Sequence, residues 1–215
     1  MEFAAAFVIL LVVLAILRLI LFRGPIGKSV AEPPVGIIDM HCHTAGFGPG
    51  GSGAWVSKEL RQSWKFKLYL KIFGSSVAEV EREGDQVIME IIAKSIDESK
   101  FVDGAVILAM DAPYTDAGEV DEVAGEVVVP NRFVGEQVVR FSKLYFGSSV
   151  HPNRKDALEE LEWSKANGAV FVKWLPNIQN IDPSNERYRA YYEKLVELDL
   201  PLLTHVGDED SCEFG

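Results

Sequence analysis

An α/β fold, a parallel sheet covered by helices, is what this chain predicts, and three observations carry it. Short apolar runs, the first of them rich in β-branched residues, recur at 35–44, 101–110, 144–150, 169–174 and 200–204. The intervals between them place apolar residues at helical spacing, so strands and helices alternate. Each run is nearly continuous, as expected for parallel strands buried on both faces. All four histidines, His41, His43, His151 and His205, fall where one of these runs gives out. In parallel α/β folds that is where functional side chains collect.

The first run ends in Asp39-Met40-His41-Cys42-His43-Thr44. Side chains along a strand alternate faces, so His41 and His43 project the same way and Cys42 the other. Neutral imidazole nitrogens bind borderline cations such as Zn²⁺ at about 2.0–2.1 Å, and His-x-His on a strand presents two of them. The plainer alternative is a pair of polar residues where a strand leaves the core. Asp39 reads as a packing residue or as a carboxylate that orients a ligand histidine.

Composition narrows the function. A formal charge of −11, from 21 basic and 32 acidic residues, argues against a nucleic-acid surface. Two cysteines, Cys42 and Cys212, do not make a disulfide framework and suit a reducing compartment. Residues 3–22 are apolar except for Arg18, and twenty helical residues reach about 30 Å, the thickness of a hydrocarbon core. Glu2 at the start and Arg23-Gly24-Pro25 at the end do not resemble a cleaved signal. The expectation is a single-pass anchor over 1–23, a Gly/Pro linker over 24–34 and a domain over 35–215. Arg18, Arg23 and Lys28 place the domain on the cytoplasmic side. A buried helix of a soluble protein is the alternative.

Past the glycine loop at 48–53, Val56, Leu60, Trp64, Leu68 and Ile72 form one stripe among Lys58, Arg61, Lys65, Lys67 and Lys71. This predicts one basic amphipathic helix over 55–73, either a lipid-facing element or a solvated rim. Helices are also expected over 85–99 with Asp85 as N-cap, from Asn131 as cap to about 141, over 154–167 with Asn153 as cap and Gly168 as stop, and from Ser184 as cap to 198. Residues 112–130, rich in Asp, Glu, Gly and Pro, read as a long excursion at the histidine end.

Four segments in order carry a resemblance to a known family: Ile38-Asp39-Met40-His41-Cys42-His43, Ser149-Val150-His151-Pro152, residues 168–176 around Lys173, and residues 200–207 around His205. The chain resembles the amidohydrolase superfamily, in particular its amidohydrolase-2 branch, over about residues 35–210. The resemblance implies a (β/α)₈ TIM-barrel-like fold, here cut after about five strands, with His41, His43 and His205 holding a catalytic divalent metal. It points to Zn²⁺, as one ion or two. Lys173 matches a position that some members use as a carboxylated, metal-bridging lysine; an unmodified lysine paired with an anion is the alternative. His151 is expected to line the pocket or touch substrate.

The implied catalytic set is thus His205, Lys173 and His151, and the implied reaction is hydrolysis of an amide, ester or lactone by activated water. A decarboxylase of the same fold and a catalytically silent, membrane-tethered binding protein are the rivals. The family's sixth-strand histidine and eighth-strand aspartate have no counterpart in 215 residues, so the chain is expected to be a fragment or a degenerate relative; Asp208 or Glu209 could stand in for the carboxylate. A small-molecule substrate is implied, and a homo-oligomer is compatible with the sequence.

Overall fold

The computed structural model describes residues 7, 10–16, 36–121 and 125–207. The linker at 24–34, most of the expected anchor, Asp208, Glu209 and Cys212 lie outside the described residues. Residues 10–16 are helical with exposed side chains. Among the described residues no helix is long and apolar enough to cross a membrane.

The domain contains β1 (Ile38–His43), β2 (Trp55–Val56), α1 (Lys58–Gln62), α2 (Trp64–Phe73), α3 (Val77–Glu83), α4 (Gln86–Glu98), β3 (Gly104–Leu108), β4 (Val127–Val128) and α5 (Asn131–Val138). It continues with β5 (Leu144–Ser148), α6 (Ala157–Ala166), β6 (Ala169–Trp174), α7 (Pro176–Gln179), α8 (Arg189–Glu197) and β7 (Leu202–Thr204). The five runs read from the sequence become one five-stranded sheet in the order β1-β3-β5-β6-β7. Every pairing in it is parallel. Strand order follows chain order throughout, as at the opening of a (β/α) barrel, whereas a doubly wound sheet reverses direction at a switch point.

The two sheet faces differ. Ala105, Ile107, Phe146, Val172 and Trp174 join the main core with helix residues such as Met89, Ile92, Val134, Leu161 and Tyr191. Val106, Leu108 and Phe171 form a smaller cluster, with Ile38 and Leu203 packed against it. Gly147 belongs to this second face: a Cβ there would sit 2.7 Å from Leu108 and 2.9 Å from Val106. Only glycine lets those side chains meet across β5.

Three local expectations are corrected. The single helix over 55–73 is a two-residue strand followed by two helices, because Ser63 takes an extended conformation (φ −61°, ψ 145°) between them. Its hydroxyl accepts the Phe66 N–H and caps α2. Asp85 occupies the N-cap position of α4 but makes no cap bond. Its fully buried carboxylate instead accepts the N–H groups of Phe47 (3.0 Å) and Gly48 (2.9 Å) and the Ser52 hydroxyl, tying down the glycine loop after β1. Asn153 does not cap α6, which starts at Ala157. Gly168 does end that helix, at φ +85°.

Helix α3 and the β2–β4 pair were not anticipated. The antiparallel β2–β4 ribbon joins the excursion after β3 to the loop after β1, both at the C-terminal edge of the sheet.

Candidate metal and active site

Because all five strands are parallel, their C-terminal ends lie along one edge, and His41, His43, His151 and His205 are all found there. Strand β1 reaches that edge through a bulge. Asp39 pairs with Ala105 and Cys42 with Ile107, so three residues of β1 advance against two of β3. Asp39 Oδ1 accepts the His41 N–H at 2.9 Å inside this bulge. The aspartate therefore shapes the backbone that carries the histidines.

The bulge turns Cys42 toward the helix-covered core, as expected from alternation, and burial pushes its thiol up to about 11, with Asp39 adding to the effect. His43 stands in register with Leu108, on the opposite face.

His41 Nε2 and His43 Nε2 approach to 2.9 Å, with ring centroids 4.9 Å apart. Two imidazole nitrogens on one cation at about 2.0–2.1 Å stand about 2.8–3.4 Å apart for ligand angles between a right angle and the tetrahedral one. The pair therefore fits two positions of a metal site.

The expected third ligand is not brought to it. Among the described residues no three His, Cys, Asp or Glu side chains converge. The reason is topological: β1 and β7 are opposite edges of an open sheet, with three strands between them.

Lys173 and His205 nevertheless lie on adjacent strands at the same edge. Lys173 pairs with Leu203, and the His205 N–H donates to Trp174 O at 3.0 Å, extending the β6–β7 ladder to the histidine. Two-residue alternation places Lys173 with Phe171 and His205 with Leu203, on the face that also carries His43. Lys173 is 3% exposed.

His151 has a different setting. Its ring is fully buried; Nε2 donates to Gln179 O at 2.8 Å and Nδ1 accepts the Asn153 N–H at 3.0 Å. Those two partners define the neutral Nε2–H tautomer. Burial pushes its pKa down to about 4, offset in part by the bond to Gln179 and reinforced by Arg154 and Arg187. A polar contact to substrate through either ring nitrogen requires giving up the bond that nitrogen already makes.

Around it runs a buried polar network that sequence reading missed. Asp111 accepts the His151 N–H (2.9 Å) and two bonds from Arg154 Nη1 (3.1 and 3.2 Å). Burial raises its carboxyl to about 6, against the opposing pull of Arg154 and two backbone N–H groups. Gln179 Nε2 donates to Asp111 O and Ser149 Oγ, both at 3.2 Å. Asn131, expected as a helix cap, instead donates to Ser149 O (2.8 Å) and Glu160 (2.9 Å) and accepts the Ser149 N–H (2.8 Å). Trp174 Nε1 and the Tyr191 hydroxyl both donate to Val150 O.

The strand end at 149–151 is thus braced from four elements. The only sequence signal for this was a cluster of polar residues at the edge of an apolar run. A cavity of about 670 Å³ opens beside it, lined by Asp111, Tyr114, Asn131 and Arg154 among others, but by none of His41, His43, Lys173 and His205.

No family model matches this chain, and no curated protein matches it. Among solved structures it is similar to that of a probable 2-pyrone-4,6-dicarboxylic acid hydrolase from Acinetobacter baumannii with citric acid bound. The identity is 13% and the TM-score 0.47, over 79% of this chain and 49% of that one. The chain therefore spans about half the length of that hydrolase, a likeness too distant to bear on activity.

Proposed function

We propose that this chain carries the metal-binding first half of a metal-dependent hydrolase of the amidohydrolase type. The observation that carries the reading is the His41–His43 pair, two Nε2 atoms 2.9 Å apart on a bulged strand end of a sequentially ordered parallel sheet. In this reading His41 and His43 hold the cation, and His205 joins them when further strands bring the sheet edges together. Lys173, on the same face, bridges to a second cation or pairs with a substrate anion. A bound divalent ion supplies Lewis acidity toward an amide, ester or lactone carbonyl and toward water. The chain's own part is to fix the two imidazoles through the Asp39-braced bulge and to keep Cys42, a competing ligand, turned into the core as an inert thiol.

The test is metal content of the purified full-length chain after loading with zinc or manganese, compared with His41→Ala, His43→Ala and His205→Ala. Loss of bound metal in the first two variants supports the pair, and loss in the third extends the site to β7. Metal content unchanged in all three overturns the reading. One observation favours a second reading, a catalytically silent binding protein: among the described residues no third donor of the usual kind reaches the pair. That reading is favoured if metal binds through His41 and His43 and the loaded chain hydrolyses no amide, ester or lactone.

A further inference from the structure

The break at Ser63 has turned an apolar stripe outward. Read as one helix, 55–73 would set Trp64, Leu68 and Ile72 in one stripe with Val56 and Leu60. In the structure Val56 and Leu60 are buried, and α2, restarted after the break, faces the core with Leu70 and with Phe66, which packs edge-on against Phe47. Trp64, Leu68 and Ile72 are left 71, 45 and 74% exposed.

At 100° per residue these three lie within one narrow stripe on the side away from Leu70, with Lys67 and Lys71 along one border and Lys65 and Tyr69 along the other. An apolar stripe with an aromatic residue, bordered by lysines that can lift their ammonium groups outward, is the pattern of a helix lying in a lipid interface.

Charge points to the occupant. Helix α2 holds three basic side chains, Lys65, Lys67 and Lys71, and no acidic one, in a chain of net charge −11, while Arg61 of α1 is paired with Glu81 of α3. A second copy would bring the same basic stripe and repel it, whereas an anionic leaflet attracts it. The chain also begins with the apolar residues 3–22, and the eleven residues from 24 to 34 can reach at most about 40 Å.

We propose that α2 docks along an anionic lipid surface, with Trp64, Leu68 and Ile72 among the headgroups and Lys65, Lys67 and Lys71 at their phosphates. This docking is independent of the chemistry at the histidine pair.

The experiment uses the full-length chain in nanodiscs, one per disc, made of phosphatidylcholine alone or mixed with phosphatidylserine. Acrylamide quenching of Trp64 is obtained as the difference between wild type and Trp64→Phe. The expected result is about fivefold weaker quenching and a blue-shifted emission in the anionic discs, reversed by high salt and by combined Lys65→Glu, Lys67→Glu and Lys71→Glu substitution. Equal quenching in the two disc types overturns the proposal. Protection in neutral discs that ignores salt also overturns it, because Trp64 is then covered without any contribution from anionic lipid.

Discussion

Replacing His151 by asparagine should flatten the acid limb of this protein's stability. In the folded chain the ring has no solvent exposure and is held neutral, with a pKa near 4. In the unfolded chain it titrates near the ordinary value of about 6.5. Above pH 6.5 neither state binds the proton. As pH falls below that, the unfolded chain takes it up and the folded chain does not until about pH 4. The His151 contribution is therefore present at neutral pH and is lost as pH falls through this window.

The gap between 6.5 and about 4, at about 1.4 kcal/mol per pH unit, amounts to about 3 kcal/mol, of which about 2.5 has gone by pH 4.5. Asp111 acts the other way. With its folded pKa raised to about 6, it binds a proton before the unfolded chain does and gains stability between about pH 6 and 3.8. Asp111 is present in both proteins, so the comparison of wild type with variant isolates the histidine.

Urea unfolding of the full-length chain in mild detergent, followed by tryptophan emission, should show wild type losing about 2.5 kcal/mol more than His151→Asn between pH 7 and 4.5. Parallel pH profiles would refute the reasoning, as would ring ¹⁵N shifts that report a protonated His151 at pH 5.5.

Two further outcomes are expected. Asp85→Ala leaves the Phe47 and Gly48 N–H groups without their buried acceptor and should cost about 2–4 kcal/mol in thermal unfolding. A loss under about 0.5 kcal/mol would mean that the glycine loop holds itself. Cys42, with its thiol raised to about 11, should react with iodoacetamide at pH 8 on the order of 10²-fold more slowly than a free thiol of pKa about 8.5. Mass-spectrometric labelling at the rate of the free thiol would rule out the buried setting.

Sequence alone determined the periodic features of this protein: five apolar runs in chain order, the helical intervals between them, the glycine stop at 168, and histidines at the strand ends. These are local properties, set by side-chain alternation and by backbone freedom within a few residues, and one dimension is enough to hold them. Their common edge also followed, because parallel strands must all point the same way.

What only the tertiary structure decided are contacts between residues far apart in the chain. Asp85 looks like a helix cap until the glycine loop, nearly forty residues earlier, donates to it. Asn131 and His151 look like a cap and a pocket residue until Ser149, Gln179 and Asp111 close a network around them. Trp64, Leu68 and Ile72 continue the stripe of Val56 and Leu60 until a single extended residue, Ser63, breaks the helix and leaves the three exposed. Whether His205 joins His41 and His43 depends on the sheet closing, and no spacing along the chain encodes the separation of its two edges.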